Sequence, residues 1–221
     1  MKLAPDSPIG LGAAMAGGRT TASTGERNAW DYYQTPADCA RAILLAEARH
    51  MRLHSTAVWE PCGHGGRLMQ AGRAAGFDMF GTDIRPDPAH GVAQLDLLAA
   101  RRLIAPVVLA NFPWSHGAAM IDHLLGRLRA PYLCALFKTQ YWQTATEEGR
   151  GRLALFRRHP PVMRWDCNWR VQFKPNERDA RGKLKHSTMN VSWFVWDTHR
   201  QGQMQWGLLD RSGPVETGEW K

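Results

Sequence analysis

The 221-residue chain has no C-x-x-C pair: Cys39, Cys62, Cys134 and Cys167 are widely separated, which argues against a disulfide framework or a cysteine zinc site. No run approaches the roughly 18 uninterrupted apolar residues of a membrane span, and Pro5, Asp6 and Pro8 interrupt any signal-peptide core. These absences predict a cytoplasmic protein without a membrane partner. A G-K-[ST] phosphate loop is missing, as is any internal repeat. Acids are scarce beside bases, 20 against 28, leaving a net charge of +8. With 44% hydrophobic residues, the chain still has enough apolar material for one ordinary core.

The positive charge is concentrated in one stretch. Between positions 150 and 186 stand eleven Arg or Lys residues against Asp166, Glu177 and Asp179, an excess equal to that of the whole chain. Trp165, Trp169 and Phe173 are interleaved with them. Cations can neutralise phosphates and aromatics can stack on bases, so the stretch points to nucleic acid. A solvated basic loop beside a half-buried strand has the same pattern, and both readings stand at this level.

Residues 1–29 are rich in Gly, Ala, Ser and Thr without apolar periodicity and read as a flexible N-terminal tail. Thr35 as N-cap, with Pro36 at the first helical position and Asp38 in the first turn, predicts a helix to about His50. A short apolar run at 57–60 is followed by the glycine turn 61–66 and a helix to about Ala75. Further strands are predicted at 79–84, 107–111 and 132–137, with an amphipathic helix over 116–129. Beyond Arg158, strand candidates at 162–170 and 189–197 flank a basic insertion at about 171–188 and read as an antiparallel hairpin at the sheet edge. The expected organisation is one α/β domain over 30–200, a mostly parallel sheet covered on both faces, followed by a C-terminal extension, 201–221.

In such a sheet, ligands lie beyond the carboxyl ends of the strands. Glu60 and the glycines after it let backbone approach a ligand, and Asp83, at the end of the second strand, suits ribose hydroxyls. A G-x-G-x-x-G series begun at Gly63 and Gly65 meets Leu68 where its third glycine belongs, which disfavours a pyrophosphate. A nucleoside without pyrophosphate fits better, and S-adenosylmethionine is such a molecule. After the next buried strand comes Asn111-Phe112-Pro113-Trp114. An amide carbonyl, helped by a neighbouring backbone carbonyl, can accept hydrogen bonds from an exocyclic amine while the indole stacks on its ring. His50 and His54 have helical i, i+4 spacing but no acid or cysteine partner in sequence, so no metal is expected.

These motifs resemble those of S-adenosylmethionine-dependent DNA adenine N6-methyltransferases of the compact phage or prophage type, a Rossmann-like class I methyltransferase fold. The resemblance covers roughly residues 31–137. It rests on D-x-Y-x-T-P (Asp31, Tyr33, Thr35, Pro36), E-P-x-G-x-G from Glu60, T-D-I from Thr82 and N-F-P-W from Asn111, in that order. It implies that Tyr33, Thr35, Pro36, Glu60, Pro61, Gly63, Gly65 and Ile84 hold the cofactor, that Asp83 lies at its ribose, and that Asp96 lies at its adenine. It implies catalytic roles for Asn111, Phe112, Pro113 and Trp114. The chain departs from the family pattern at His64, inside the glycine loop, and at Phe112, in place of a proline.

The resulting expectation is metal-free methyl transfer to adenine N6 in double-stranded DNA, with the base flipped and sequence specificity limited, in a bacterial or phage-infected cytoplasm. Arg164, Arg170, Lys174, Arg178, Arg181, Lys183 and Lys185 would hold the phosphate backbone. Methylation of another planar amine (cytosine N4, RNA adenine or protein glutamine) and a catalytically silent nucleic-acid-binding relative remain alternatives.

Overall fold

Uninterrupted apolar runs form the centre of the sheet because both of its faces are covered. In the computed structural model, which describes residues 33–143, 152–173, 182–183 and 189–215, the strands are β1 (Ala57–Glu60), β2 (Asp78–Asp83), β3 (Val92–Gln94), β4 (Val107–Ala110), β5 (Tyr132–Lys138), β6 (Met163–Cys167), β7 (Val191–Asp197), β8 (Gln205–Asp210) and β9 (Gly213–Pro214). Their order across the sheet is β3-β2-β1-β4-β5-β7-β6-β8-β9. The first five are mutually parallel, β7 runs antiparallel between β5 and β6, and β8 and β9 form an antiparallel edge. The fold is thus α/β with a mostly parallel sheet.

The two-residue side-chain period divides the core into two layers. Val107 and Leu109 of β4, with Tyr132, Cys134 and Leu136 of β5, face helices α1 (Ala37–His54) and α2 (Arg67–Ala74). Val108 and Ala110, with Leu133, Ala135 and Phe137, face the opposite layer, where Ile121 of α3 (Gly117–Asp122) and Leu155 of α4 (Arg152–Arg158) pack. Each fully buried Val or Leu contributes about 1.5–3 kcal/mol relative to exposure, so these layers hold the strand ends in place.

Several boundaries differ from the sequence expectations. Pro36 is the cap itself rather than the first helical residue: its ψ of 143° is extended, while its carbonyl accepts the first helical bond from the Ala40 N–H at 3.0 Å. Thr35 makes no capping bond and is buried beside the cleft. Helix α1 continues past His50 to His54, since only the extended Ser55 stops it. The helix expected over 116–129 is α3 followed by a π-helical turn, His123–Arg127, closed by the Leu128 N–H on the His123 carbonyl. The short β3 escaped detection because Val92 is its one buried residue. The hairpin strands are shorter than expected, and they lie inside the sheet because β8 pairs in parallel beyond β6. Residues 205–214, within the stretch read as an extension, form two strands of this same sheet.

Candidate functional site

Strand order reverses around β1, with β2 on one side and β4 on the other, and the ends of all three open into one cleft of about 540 Å³. This is the topological switch point, where a parallel sheet leaves a crevice because neighbouring connections depart to opposite faces. Glu60 ends β1, Asp83 ends β2, and Asn111 follows β4; all three line the cleft.

Glu60 is 4% exposed, and its Oε2 has no hydrogen-bond partner. Burial pushes its carboxyl up to about 8; the Met69 backbone N–H opposes this, and the charge of Asp83 adds to it. Such a buried, unsatisfied acid is costly to the protein alone and ready to accept a bond from a ligand cation or donor. The Cys62 thiol, also at the cleft, is pushed up by burial and then by Asp83 and Glu60.

The glycine loop shapes this wall rather than forming it. Gly63 donates its N–H to the Thr82 carbonyl at 2.9 Å and Gly65 donates to Asp87 Oδ2 at 3.0 Å, so neither amide points to a ligand, and neither residue lines the cleft. Gly66, at φ 63°, packs where an added Cβ would meet His90 Cβ at 2.7 Å, so glycine is required at that position. Pro61 lines the cleft and Pro36 does not. His64, the departure from the glycine pattern, is also at the wall.

Asp83 is 6% exposed; it accepts the Arg85 N–H at 2.9 Å and a longer contact from the His64 N–H at 3.4 Å. Ile84 beside it is 46% exposed and offers an apolar surface at the same wall. Asp96 is exposed, lines the cleft, and accepts the Leu98 N–H through Oδ1 at 2.9 Å. Two carboxylates with unused lone pairs therefore stand along one wall and an apolar side chain between them.

Across the cleft, Asn111 donates from Nδ2 to the Tyr33 carbonyl at 2.7 Å, which orients the amide and leaves Oδ1 as acceptor. Phe112 is 2% exposed and tilted against Phe137 at 6.0 Å, so it anchors the loop to the core where the related motif has a proline. The Pro113 carbonyl accepts the His116 N–H at 3.0 Å, closing the turn before α3. Trp114 stacks with Tyr33 at 6.4 Å and 27° and meets Phe173 edge-on at 5.9 Å. Lys138 Nζ lies 5.1 Å from the Trp114 ring centroid. Trp114 Nε1 is buried without a partner.

Sequence reasoning missed Lys138 and Arg67, which lines the cleft from the first turn of α2, and it singled out Phe173 as an aromatic of the basic stretch but not as a neighbour of Trp114. The position of Lys138 at the end of a buried strand was the one available signal; Phe173 arrives from a segment 59 residues beyond Trp114.

Arg164, expected at phosphate from its place in the basic stretch, instead holds both oxygens of Asp166 through Nε and Nη2 at 2.7 and 2.8 Å, which commits it inside the sheet. Arg170 is exposed after β6, and Lys183 is exposed as well. Lys174, Arg178, Arg181 and Lys185 lie outside the described residues. His54 does not join His50 but bonds Asp197 at 2.7 Å and stacks on His199 at 3.8 Å. These three form a group close enough for a cation, yet Asp197 already accepts from His54, the His199 N–H and Arg200, so we assign no metal there. Among the described residues no helix is long and apolar enough to cross a membrane.

No protein-family model and no curated protein matches the chain. Solved structures do share its fold. A type I restriction-modification methyltransferase subunit from Streptococcus thermophilus matches with TM-score 0.54 and 13% identity, over 81% of this chain and 47% of that one. A putative RNA methyltransferase from Pyrococcus horikoshii matches with TM-score 0.55 and 13% identity, over 76% and 88%. A modification subunit of a putative type I restriction enzyme from Vibrio vulnificus matches with TM-score 0.50 and 13% identity, over 90% and 49%. The chain spans about half the length of the type I subunits it matches. The likeness shows a Rossmann-like α/β fold shared with these methyltransferases.

Proposed function

We propose that the chain transfers a methyl group from S-adenosylmethionine to the N6 amine of adenine in DNA. The observation that carries this reading is the Asn111 amide, pinned through Nδ2 by Tyr33 with its carbonyl left to accept, across one cleft from the unsatisfied Glu60. An acceptor beside an aromatic loop suits a planar exocyclic amine. The cleft residues also fit the cofactor. Glu60 would take its α-ammonium, Asp83 its ribose hydroxyls, and Asp96 with Ile84 its adenine, while Tyr33, Thr35 and Pro61 complete the wall. Pro36, Gly63 and Gly65 would act from behind, by holding the backbone turns. When bound, the cofactor supplies an electrophilic methyl group on a sulfonium.

The residues of the chain then have simple tasks. Asn111 Oδ1 and the Phe112 backbone carbonyl would accept hydrogen bonds from the two N–H groups of the amine and turn its lone pair toward the methyl group, and the one proton the methylated amine loses would pass to solvent. Trp114, held by Tyr33 and Phe173, presents its ring to a base drawn out of the duplex. Phe112 and Pro113 fix the loop. Arg170, Lys183 and the basic positions 174, 178, 181 and 185 would neutralise backbone phosphates; Arg164 is withdrawn from that set. A contact surface this short favours limited sequence specificity. The type I subunits with this fold support a DNA substrate, and the RNA methyltransferase neighbour keeps RNA adenine as the second reading.

The test is transfer of labelled methyl to mixed-sequence double-stranded DNA, with RNA in parallel, followed by nucleoside analysis. Label in N6-methyldeoxyadenosine, lost by about 100-fold or more in Asn111→Ala, supports the proposal. Label in N4-methylcytosine or in RNA replaces the substrate; no label on DNA, RNA or a protein extract tested alongside sinks the enzymatic reading.

A further inference from the structure

The tertiary structure joins two thiols that the sequence keeps 128 positions apart. Cys39, in the first turn of α1, and Cys167, the last residue of β6, hold their Sγ atoms 3.8 Å apart. Both are free thiols; Cys39 is fully buried and Cys167 half-buried. The same two segments are tied again one residue earlier, where Asp38 Oδ2 accepts the Trp169 indole N–H at 3.0 Å. A disulfide needs an S–S separation of about 2.05 Å, so closure requires the sulfurs to approach by about 1.8 Å between elements already held side by side.

We propose that Cys39 and Cys167 form an oxidation site, at which a hydroperoxide converts the dithiol to a reversible disulfide that resets the wall of the cleft. Cys167, the accessible partner, attacks hydrogen peroxide; its sulfur gains a hydroxyl, the O–O bond breaks, and one water leaves. The Cys39 sulfur then displaces that hydroxyl, the S–S bond forms, and a second water carries away the remaining thiol proton. Two electrons pass from the thiols to the peroxide. Burial, followed by the neighbouring Cys167, raises the Cys39 thiol well above its ordinary value, consistent with Cys39 as the resolving rather than the attacking thiol. In a reducing compartment such a pair closes only under oxidative load.

The connection to the cleft runs through both segments. Upstream of Cys39, the Tyr33 carbonyl accepts the Asn111 amide. Downstream of Cys167, Phe173 packs edge-on against Tyr33 and Trp114 at 6.1 and 5.9 Å. Drawing the two sulfurs together therefore moves the supports of Asn111 and Trp114. The thiol chemistry stands independently; only its effect on the cleft rests on the cofactor-binding reading given above.

The test treats the full chain with hydrogen peroxide under native conditions, alkylates the remaining thiols and maps the peptides by mass. We expect two of the four thiols to disappear into one cross-linked pair joining the Cys39 and Cys167 peptides, reopened by dithiothreitol. Cys39→Ser and, at the less buried position, Cys167→Ser each abolish the link. Affinity for S-adenosylhomocysteine, followed calorimetrically, should fall about tenfold on oxidation, recover on reduction, and stay unchanged by peroxide in both serine variants. Retention of four thiols, or oxidation of Cys167 without a link, overturns the site. A link with unaltered affinity overturns its coupling to the cleft. Failure of the reduced protein to bind S-adenosylhomocysteine overturns the cofactor reading, while the peptide map still decides the oxidation site.

Discussion

Two buried glutamates at opposite ends of the sheet have opposite fates. Glu47 of α1, fully buried, accepts the Tyr132 hydroxyl and Trp165 indole N–H, each at 2.8 Å, and both terminal nitrogens of Arg200 at 3.1 and 2.6 Å. Arg200 in turn donates to Asp197, where bonds from His54, the His199 N–H and Arg200 outweigh burial and hold the carboxyl below its usual range. Every strong partner there is internal. Glu60 is almost as buried but keeps one oxygen without a partner, and its carboxyl is pushed up to about 8. The protein closes the charges at the edge where β5 begins and β7 ends, and leaves a carboxyl oxygen unsatisfied where β1 ends, as expected if the missing partner is a ligand.

The sharpest way to break that contrast is to remove each glutamate in turn. Glu47→Ala strips the acceptor from Arg200, Tyr132 and Trp165 and should cost about 3–5 kcal/mol in urea unfolding. A loss below about 1 kcal/mol would mean that the network is ornamental. Glu60→Gln should do the reverse. The folded carboxyl binds its proton more tightly than the unfolded one, so its contribution is fully present below about pH 4.5 and is lost as pH rises through about 8. Relative to the parent chain, the glutamine variant should gain about 1–3 kcal/mol at pH 9, the buried amide offsetting part of the relief. A destabilised variant at that pH would show that Glu60 is satisfied internally after all.

A smaller effect concerns ligand binding. If ionised Glu60 pairs with an ammonium, affinity for S-adenosylhomocysteine should climb about tenfold between pH 6.5 and pH 8, and Glu60→Gln should flatten the curve. A pH-independent affinity in the parent chain would remove Glu60 from the ligand. The smallest effect separates two arginines that look alike in sequence. Arg170→Ala should lower the slope of log affinity for DNA against log salt by about one, with stability changed by less than about 0.5 kcal/mol. Arg164→Ala should leave that slope alone and destabilise the fold, because Asp166 would lose its two charge-assisted bonds.

Much of the cleft was legible in advance because its residues sit beside strand ends, and a strand end is marked locally by an apolar run meeting a polar residue. Glu60, Asp83 and Asn111 all converge on this logic. Gly63 and Gly65 illustrate its limit: a glycine turn can be recognised from residue type, but whether its amides face a ligand or the Thr82 carbonyl and Asp87 is a matter of where those acceptors lie. Arg164 failed for the same reason, since an arginine in a basic stretch carries no mark of the carboxylate two positions along the same strand that holds it.

The sequence by itself determined the alternation of strands and helices, the glycine turn and the polar residues at the strand ends, because each depends on periodicity or conformational preference over a few neighbouring positions. Tertiary structure alone decided the rest: the placement of β8 and β9 beyond β6, the meeting of Tyr33, Trp114 and Phe173, the closure of Glu47 by Arg200, and the approach of Cys39 to Cys167. These contacts join residues many tens of positions apart. Their partners are selected by packing and by the need to satisfy buried polar groups, constraints that act only once the chain has folded.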